Sequence, residues 1–475
     1  MYILGIDIGT SGVRGVVCDP SGSVIVDSRI AYDFFSRKDA FLEQSPKKWW
    51  EGVTQCLEDI VRKLAEKNDS AENISAIGVT STSGTFVLVD RSGLPLHDAI
   101  MYHDRRVQPG KRQDAMERLF ESTGYKVKYT FSLPKLIWMK EHFPEVFNRA
   151  YKVVPEGDFI IGQLTGDFDA SDYTSLLKLG FDIRRKKWDA HMLKELGLSV
   201  DILPRGVAPG SEAGALLPEL QKRFGFSRIT RVYRGLVDNN AAFLASGASE
   251  FGDCYSNLGS VLAIKVLQRG LVRDPSGRLY SYPHPEAGYL FGGSSCSGVE
   301  SLKHYVGDLT RVDLESALQA TRRNLFAYPL AHEGETLPFV DSRFRSFEVG
   351  NPKGNPEKYS AGVKGLAFIE RWIYDVFSEM GAQVGQTVYS SGGGTMSPSW
   401  SQLRADILGK TVVVPEYTGA ALGVAILVAS KEHSTRLRDA QIKMTGSAGI
   451  FEPRNRSYDT EYRRFKEETL RRVSS

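Results

Sequence analysis

Asp7 ends the apolar run Tyr2-Ile3-Leu4-Gly5-Ile6 and opens into Ile8-Gly9-Thr10-Ser11-Gly12. Glycine lets backbone N–H groups come close to an anion, and hydroxyls add donors. Gly9, Thr10 and Ser11 therefore have the composition of a phosphate-binding turn. Asp7 beside it suits a magnesium ion, which keeps several waters and often uses one or two carboxylates. Gly259-Ser260, again between two apolar runs, repeats that composition. Either turn taken alone also fits an ordinary hairpin. A third cluster, Gly392-Gly393-Gly394, follows the apolar Thr387–Ser390, with Ser397 and Pro398 placed to start a helix. Three glycines there let a flat base lie against the backbone; a flexible loop is the alternative. Asp238 ends the run Arg231–Val237 and precedes the helix-like Asn240–Ser246. It fits a helix cap, and equally a base that accepts a hydroxyl proton during phosphoryl transfer, a reaction governed by positioning and electrostatics. The chain lacks both the GxxxxGK[ST] loop and the protein-kinase motif set.

The elements that must carry these residues alternate between strand and helix signals. Residues 2–8, 13–18 and 24–29 read as three strands joined by Gly/Ser turns. Pro46 opens an amphipathic helix to about Lys67, with Ser45 as its expected cap. Residues 74–80 and 85–90 read as strands around a Ser/Thr/Gly bend, and 130–225 is richer in helix signals. The pattern restarts at Ser256–Val266, with a strand at Gly288–Gly293, a helix at Lys364–Glu379, strands at Thr387–Ser390 and 411–415, and a small-residue helix at 419–430. Each half thus begins with a Gly-hydroxyl hairpin. The expected domains are 1–250 and 251–475, closely packed with a cleft between them.

The 475 residues suffice for two or three domains with cores of their own. With 41% hydrophobic and 25% charged residues, the composition is that of a globular protein. A net charge of +3 argues against a dedicated nucleic-acid binder, and the basic residues 463–472 alternate with glutamates as a solvated helix face does. Cys18, Cys56, Cys254 and Cys296 show no metal spacing, so reduced thiols in a cytoplasmic protein are expected. Neither a signal peptide nor a membrane span is read.

Taken in order, these segments resemble the FGGY carbohydrate kinase family. Gly5-Ile6-Asp7-Ile8-Gly9-Thr10-Ser11 with Arg14 is similar to its first phosphate motif, and Gly259-Ser260 falls where its second phosphate hairpin should. Gly235-Leu236-Val237-Asp238-Asn239-Asn240-Ala241 is similar to its GxxDxxA segment. Gly392-Gly393-Gly394 with Ser397 resembles its adenosine motif. Trp400–Gly409, Gly419–Ala425 and Lys135-Leu136-Ile137-Trp138 with Pro144-Glu145 resemble further family segments. The resemblance implies an α/β fold of two actin-like, ribonuclease H-like domains flanking a central cleft. It implies ATP and Mg2+ as cofactors, Asp238 as the base, and Asp7 as the residue that holds magnesium through water and helps hold the phosphoryl group.

Where xylulokinases usually show a GQxHG-type segment, this chain has Thr80-Ser81-Thr82-Ser83-Gly84-Thr85. Tyr102-His103-Asp104-Arg105-Arg106 matches the family's WxDxR segment with Tyr for Trp. The combination resembles the plant and cyanobacterial D-ribulose kinase group. Ser83 and Asp104 are the resulting sugar-pocket candidates; the structural alternatives are a turn cap for Ser83 and pairing with Arg106 for Asp104. D-ribulose is the expected substrate, D-xylulose or another polyol the rival, and a catalytically weak sugar sensor the alternative of a different class. The expected partners are a small sugar and ATP, with neither nucleic acid nor membrane, in a monomer or homodimer.

Overall fold

The computed structural model describes residues 1–32, 36–38, 40–108, 113–123, 125–307, 313–319, 322, 324–454 and 456–473. Its contacts divide the chain into two compact units. The first holds Met1–Ala245, Pro283–Ala287 and Gly419–Met444; the second holds Ser246–Tyr282, Gly288–Thr418 and Thr445–Ser475. The chain leaves the first unit at Ala245 and contributes to it again twice, so the division is not one cut near residue 250.

In the first unit, Tyr2–Gly9 pairs antiparallel with Gly12–Cys18, and that strand with Val24–Ala31. On its other side Tyr2–Gly9 pairs parallel with Ile74–Ser81, which pairs parallel with Arg231–Val237. Glu212–Ala215 closes the six-stranded sheet. Leu4, Ile6 and Ile8 join Trp49, Val53 and Leu57 of the helix Pro46–Glu66 in one core. Ser45 stands at that helix's N-cap but makes no side-chain capping bond, so Pro46 alone supplies its start signal.

The opposite face is shaped by glycine. A Cβ on Gly5 would lie 1.8 Å from the Ala421 carbonyl oxygen, and one on Gly78 2.6 Å from Val428. One on Gly235 would lie 2.1 Å from the Val79 carbonyl oxygen and 2.7 Å from Val424. The glycines let the helix Ala420–Glu432 seat on the strands, with Ala420–Ser430 all buried. On that helix, a Cβ at Gly423 would lie 1.7 Å from the carbonyl oxygen of Ala241. Gly5 and Gly235, which flank the candidate aspartates in sequence, are thus packing residues.

The second unit repeats the strand scheme. Cys254–Leu258 pairs antiparallel with Leu262–Gln268, and that strand with Tyr289–Ser295. Cys254–Leu258 also pairs parallel with Thr387–Ser391, which pairs parallel with Thr411–Pro415. Tyr280–Pro283 and Ser447–Phe451 extend the two edges to seven strands. The repeated hairpin read from the sequence is therefore part of a repeated domain: three antiparallel strands, then two parallel ones reached by crossovers. This is the actin-like, ribonuclease H-like α/β fold, present twice. The long helix begins at Gly354, ahead of the expected Lys364, and runs to Glu379. Its Glu370 is fully buried and takes a bidentate pair of 2.8 Å bonds from the fully buried Arg404. Arg404 also donates to the hydroxyls of Ser390 and Ser256, at 2.7 and 3.2 Å, tying the two central strands together.

Candidate active site

The hairpin at Gly9–Gly12 is braced through its carbonyls. Tyr32 donates its phenol to the Gly9 carbonyl at 2.7 Å and its N–H to the Ser11 carbonyl at 3.2 Å. Gln44 Nε2 donates to the Thr10 carbonyl at 2.8 Å, and Trp49 Nε1 donates to Gln44 Oε1 at 2.8 Å, which fixes the amide's orientation. Three carbonyl dipoles that would repel an anion are thereby held by donors. Gly12 has φ +155°, and a Cβ there would lie 2.3 Å from the Ile30 carbonyl oxygen. Neither Tyr32 nor Gln44 carries a sequence signal, because each acts across a turn from another strand.

Asp7 sits opposite Arg14 in the hairpin register, and Arg14 Nη1 donates to its Oδ2 at 3.0 Å. The carboxylate is 5% exposed, and its buried Oδ1 has no hydrogen-bond partner. Burial raises its pKa to about 6; the charge of Asp238 pushes the same way and Arg14 opposes. Asp238 is the first residue of the helix Asp238–Ala245, immediately after its strand, and is half-buried. Its Oδ1 accepts the Asn239 N–H at 2.6 Å. The preceding N–H, of Val237, donates to Thr174 Oγ1 at 2.9 Å and fixes the strand end. The charge of Asp238 is felt by Asp7, Glu156, Lys178 and Tyr102, which gathers these side chains into one locality.

Ser83 lies in a turn held at every carbonyl from 83 to 85. Lys178 Nζ donates to the Ser83 carbonyl at 2.7 Å. Lys135 Nζ and Ser132 Oγ donate to the Gly84 carbonyl at 3.3 and 3.1 Å, and the Glu156 N–H donates to the Thr85 carbonyl at 3.3 Å. Gly84 has φ +98°, a conformation that favours glycine. Burial lowers the Lys178 ammonium to about 8, while Asp238 draws it upward. The charge in the apolar run Leu176-Leu177-Lys178-Leu179 is the signal that could have marked Lys178; Glu156 reads only as an acidic first turn of a helix.

Asp104 departs from its expected place in a sugar pocket. It is fully buried, and both its oxygens are engaged. Oδ1 accepts Arg106 N–H and Nε at 3.0 and 2.9 Å; Oδ2 accepts Leu42 N–H and Arg106 Nη2 at 2.6 and 2.9 Å. Arg106 also reaches Glu43 at 2.7 Å and lies over the rings of Phe41 and Trp138. The pair locks the 102–106 loop. In that loop Tyr102, 37% exposed, and Arg105 are the exposed residues.

In the second unit, Gly259 and Ser260 connect Cys254–Leu258 to Leu262–Gln268; Ser260 is exposed, and the Gly259 carbonyl accepts the Val299 N–H at 2.8 Å. Gly392 has φ +91°, and a Cβ there would lie 2.5 Å from the Leu258 carbonyl oxygen. Gly392–Gly394 therefore lies against the end of the strand that carries Gly259. Gly393 is exposed, a Cβ there lying 4.0 Å from Val299, whereas Gly394 is buried against Leu258 and Trp400. Ser397 caps Pro398–Leu408 through the Trp400 N–H at 3.1 Å and donates to Glu315. Its hydroxyl is thus committed to holding the helix start. Among the described residues no cluster of three or more His, Cys, Asp or Glu is arranged to hold a metal, and no helix is long and apolar enough to cross a membrane. All four cysteines are free thiols, Cys296 exposed and the others buried.

Known proteins share this organisation along the whole chain. The xylulose kinase of Bacillus subtilis (strain 168) is 28% identical over 442 residues, covering 90% of this chain and 88% of that protein. That of Escherichia coli (strain K12) is 28% identical over 444 residues with the same coverage. Among solved structures, a xyloylose kinase from Brucella ovis superposes with TM-score 0.88 at 22% identity, covering 99% of both chains. Plasmodium falciparum glycerol kinase with ADP gives 0.86 at 19% identity, covering 100% of this chain and 98% of that one. These likenesses carry the fold. The N-terminal domain model of the FGGY family of carbohydrate kinases matches residues 2–245 and the C-terminal domain model residues 271–431. The chain belongs to the FGGY family of carbohydrate kinases and is an ATP-dependent sugar kinase.

Proposed function

We propose that this kinase transfers the γ-phosphoryl group of MgATP to the terminal hydroxyl of a ketopentose, D-ribulose giving D-ribulose 5-phosphate, in the cytoplasm. The observation that carries the reading is the locality of Asp7, Asp238, Lys178 and the braced Ser83 turn in the first unit. Asp238 takes the proton of the attacking hydroxyl as the O–P bond forms and the bond to the ADP oxygen breaks. Its place at a strand-to-helix junction fixes that carboxylate on a rigid element. Asp7 has a buried, unpartnered oxygen, which fits a hydrated divalent cation. Magnesium, when bound there, would neutralise phosphate charge. Gly9, Thr10, Ser11 and Arg14 hold the transferring phosphoryl group; Gly259 and Ser260 hold the remaining phosphates. Gly392, Gly393 and Gly394 receive the adenosine, with Ser397 fixing the helix that follows.

D-ribulose and D-xylulose differ in the configuration of one hydroxyl, so discrimination comes from a few placed polar groups. Ser83, Lys178 and Tyr102 are those groups here, and the Thr80–Thr85 segment carries no histidine where xylulokinases usually have one. D-xylulose is the second reading, favoured by the curated relatives, which are named xylulose kinases. The test is kcat/KM for D-ribulose, D-xylulose, L-ribulose and glycerol side by side at saturating MgATP. D-ribulose is expected to lead D-xylulose by roughly ten- to a hundredfold, the value of one mispaired hydrogen bond. A clear lead for D-xylulose or glycerol would refute the ribulose assignment. ADP release no faster with any sugar than without would turn the reading toward a sensor.

A further inference from the structure

We infer that Glu156 is a positioning residue for the sugar: its carboxyl holds Thr82 and its backbone N–H holds Thr85, the two ends of the Thr82–Thr85 turn. The inference rests on reading that turn as the sugar-facing segment.

Glu156 begins the helix Glu156–Thr165, directly after the strand Lys152–Pro155, and is fully buried. Its Oε2 accepts the Thr82 N–H at 3.1 Å and the Thr82 hydroxyl at 2.5 Å. Its own N–H holds the Thr85 carbonyl, at the other end of the turn. The relay then continues. The Thr82 and Thr85 hydroxyls lie 2.9 Å apart, and Thr85 Oγ1 accepts the Tyr102 N–H at 3.2 Å. Each hydroxyl has one proton, and the chain uses each once: Thr82 donates to Glu156, Thr85 donates to Thr82, and Tyr102 donates to Thr85. A single buried side chain thereby sets the Ser83 turn against the loop of Tyr102.

The surroundings favour the neutral acid. The two Thr82 donors on Oε2 work against it, but they are the side chain's only hydrogen-bond partners among the described residues, and Oε1 is buried without one. Asp7 of the first strand and Asp238 of the helix start act on it with negative charge, and its own charge is felt by the phenols of Tyr32 and Tyr102. The nearby cations are committed elsewhere: Arg14 to Asp7, Lys178 to the Ser83 carbonyl, Lys135 to the carbonyls of Gly84 and Met101. A charged carboxylate here would be buried, without a cation, beside two others. Burial foremost raises Glu156 to about 8, with Asp238 and Asp7 adding and the Thr82 bonds opposing. At neutral pH the acid keeps its acceptor for Thr82. Above pH 8 it adds a third negative charge where phosphate charge must be received.

The experiment follows kcat/KM and KM for the best sugar of the panel from pH 6.5 to 9.5. It compares wild type, Glu156→Gln, Glu156→Ala, Thr82→Val and Ser83→Ala, all full-length, with folding checked by melting. Glutamine offers an acceptor and never ionises. Glu156→Gln is expected within about threefold of wild type at pH 7 and to lose the Glu156 part of the wild-type alkaline limb near pH 8, leaving only that of Lys178, which burial also lowers to about 8. Glu156→Ala is expected to raise the sugar KM roughly tenfold or more with little change in the ATP KM. Thr82→Val removes a bond that favours the anion, so the Glu156 part of its limb moves to higher pH, which keeps the test open if Glu156→Ala does not fold. A Glu156→Gln enzyme that retains the whole limb, or that fails at pH 7 as alanine does, overturns the inference. So does an unmoved sugar KM in Glu156→Ala when Ser83→Ala shifts it. If neither variant moves the sugar KM, the sugar-facing reading of the turn is itself at fault, and the inference falls with it.

Discussion

Asp7 and Asp238 are both carboxylates at strand ends, yet their surroundings separate them. Asp7 is buried and paired with Arg14; Asp238 is half-buried at a helix start. That division suits a charge holder and a proton acceptor. Asp238→Asn keeps the shape and removes the basicity, so kcat is expected to fall on the order of 10²–10⁴-fold with ATP affinity nearly unchanged. Steady-state rates beside ATP calorimetry check this, and turnover near wild type in the folded variant would remove Asp238 from the role of base. Asp7 ionises at about 6 in the unliganded protein, and only its anion can hold a cation. The acid limb of kcat/KM for MgATP should therefore fall away below about pH 6, and added magnesium should move it to lower pH. Asp7→Asn should abolish that magnesium-dependent shift; a variant that retains it would leave Asp7 as a hairpin residue only.

At the scale of elements, the site depends on how closely one helix seats on one sheet. Gly5, Gly78 and Gly235 clear the space for Ala420–Glu432, and Gly423 brings that helix onto Ala241 of the helix that begins with Asp238. Gly423→Ala must move the Ala241 backbone or the whole helix, since its Cβ would lie 1.7 Å from a carbonyl oxygen. The expected cost is about 1–3 kcal/mol or more of stability, with a lower kcat even below the melting temperature, because Asp238 moves with its helix. Denaturant melts and kinetics on the variant test both; unchanged stability would mean that the seating is looser than these distances require.

The whole molecule stores several carboxyls in its interior, and they set its response to pH. In the folded state burial raises Asp158 from 3.8 to about 7 and Glu156 from 4.5 to about 8. A raised carboxyl stabilises the fold fully below its unfolded pKa and loses that contribution as pH rises through the folded one. His284 works in the opposite sense, lowered by burial from 6.5 to about 4, so its cost disappears as pH rises to 6.5. Between pH 6.5 and 8 only the two acids act among these groups, and Tm of the unliganded protein should fall across that interval. Differential scanning calorimetry at fixed ionic strength checks it. A Tm that is flat or rising there would show that the two acids titrate at ordinary values.

The residues proposed to do the chemistry could be picked out in the chain because each is announced by its neighbours. Asp7 and Asp238 end apolar runs, and glycines crowd the turns, so strand, turn and carboxylate were legible together, as was the repeated hairpin. The fold was implied by the family resemblance of the ordered segments, while the residues themselves gave the strands, since a strand fully buried on both faces has to be apolar along its whole length. Tertiary structure alone decided which of these residues face outward. Asp104 reads like a pocket residue, but Arg106 and the Leu42 N–H consume both its oxygens. Ser397, a nucleotide contact by family resemblance, keeps the helix-start role its sequence position also indicated. Glu156, Tyr32 and Gln44 are silent in the sequence, since what each does depends on a hydrogen-bond partner brought close by strand pairing and not by chain proximity.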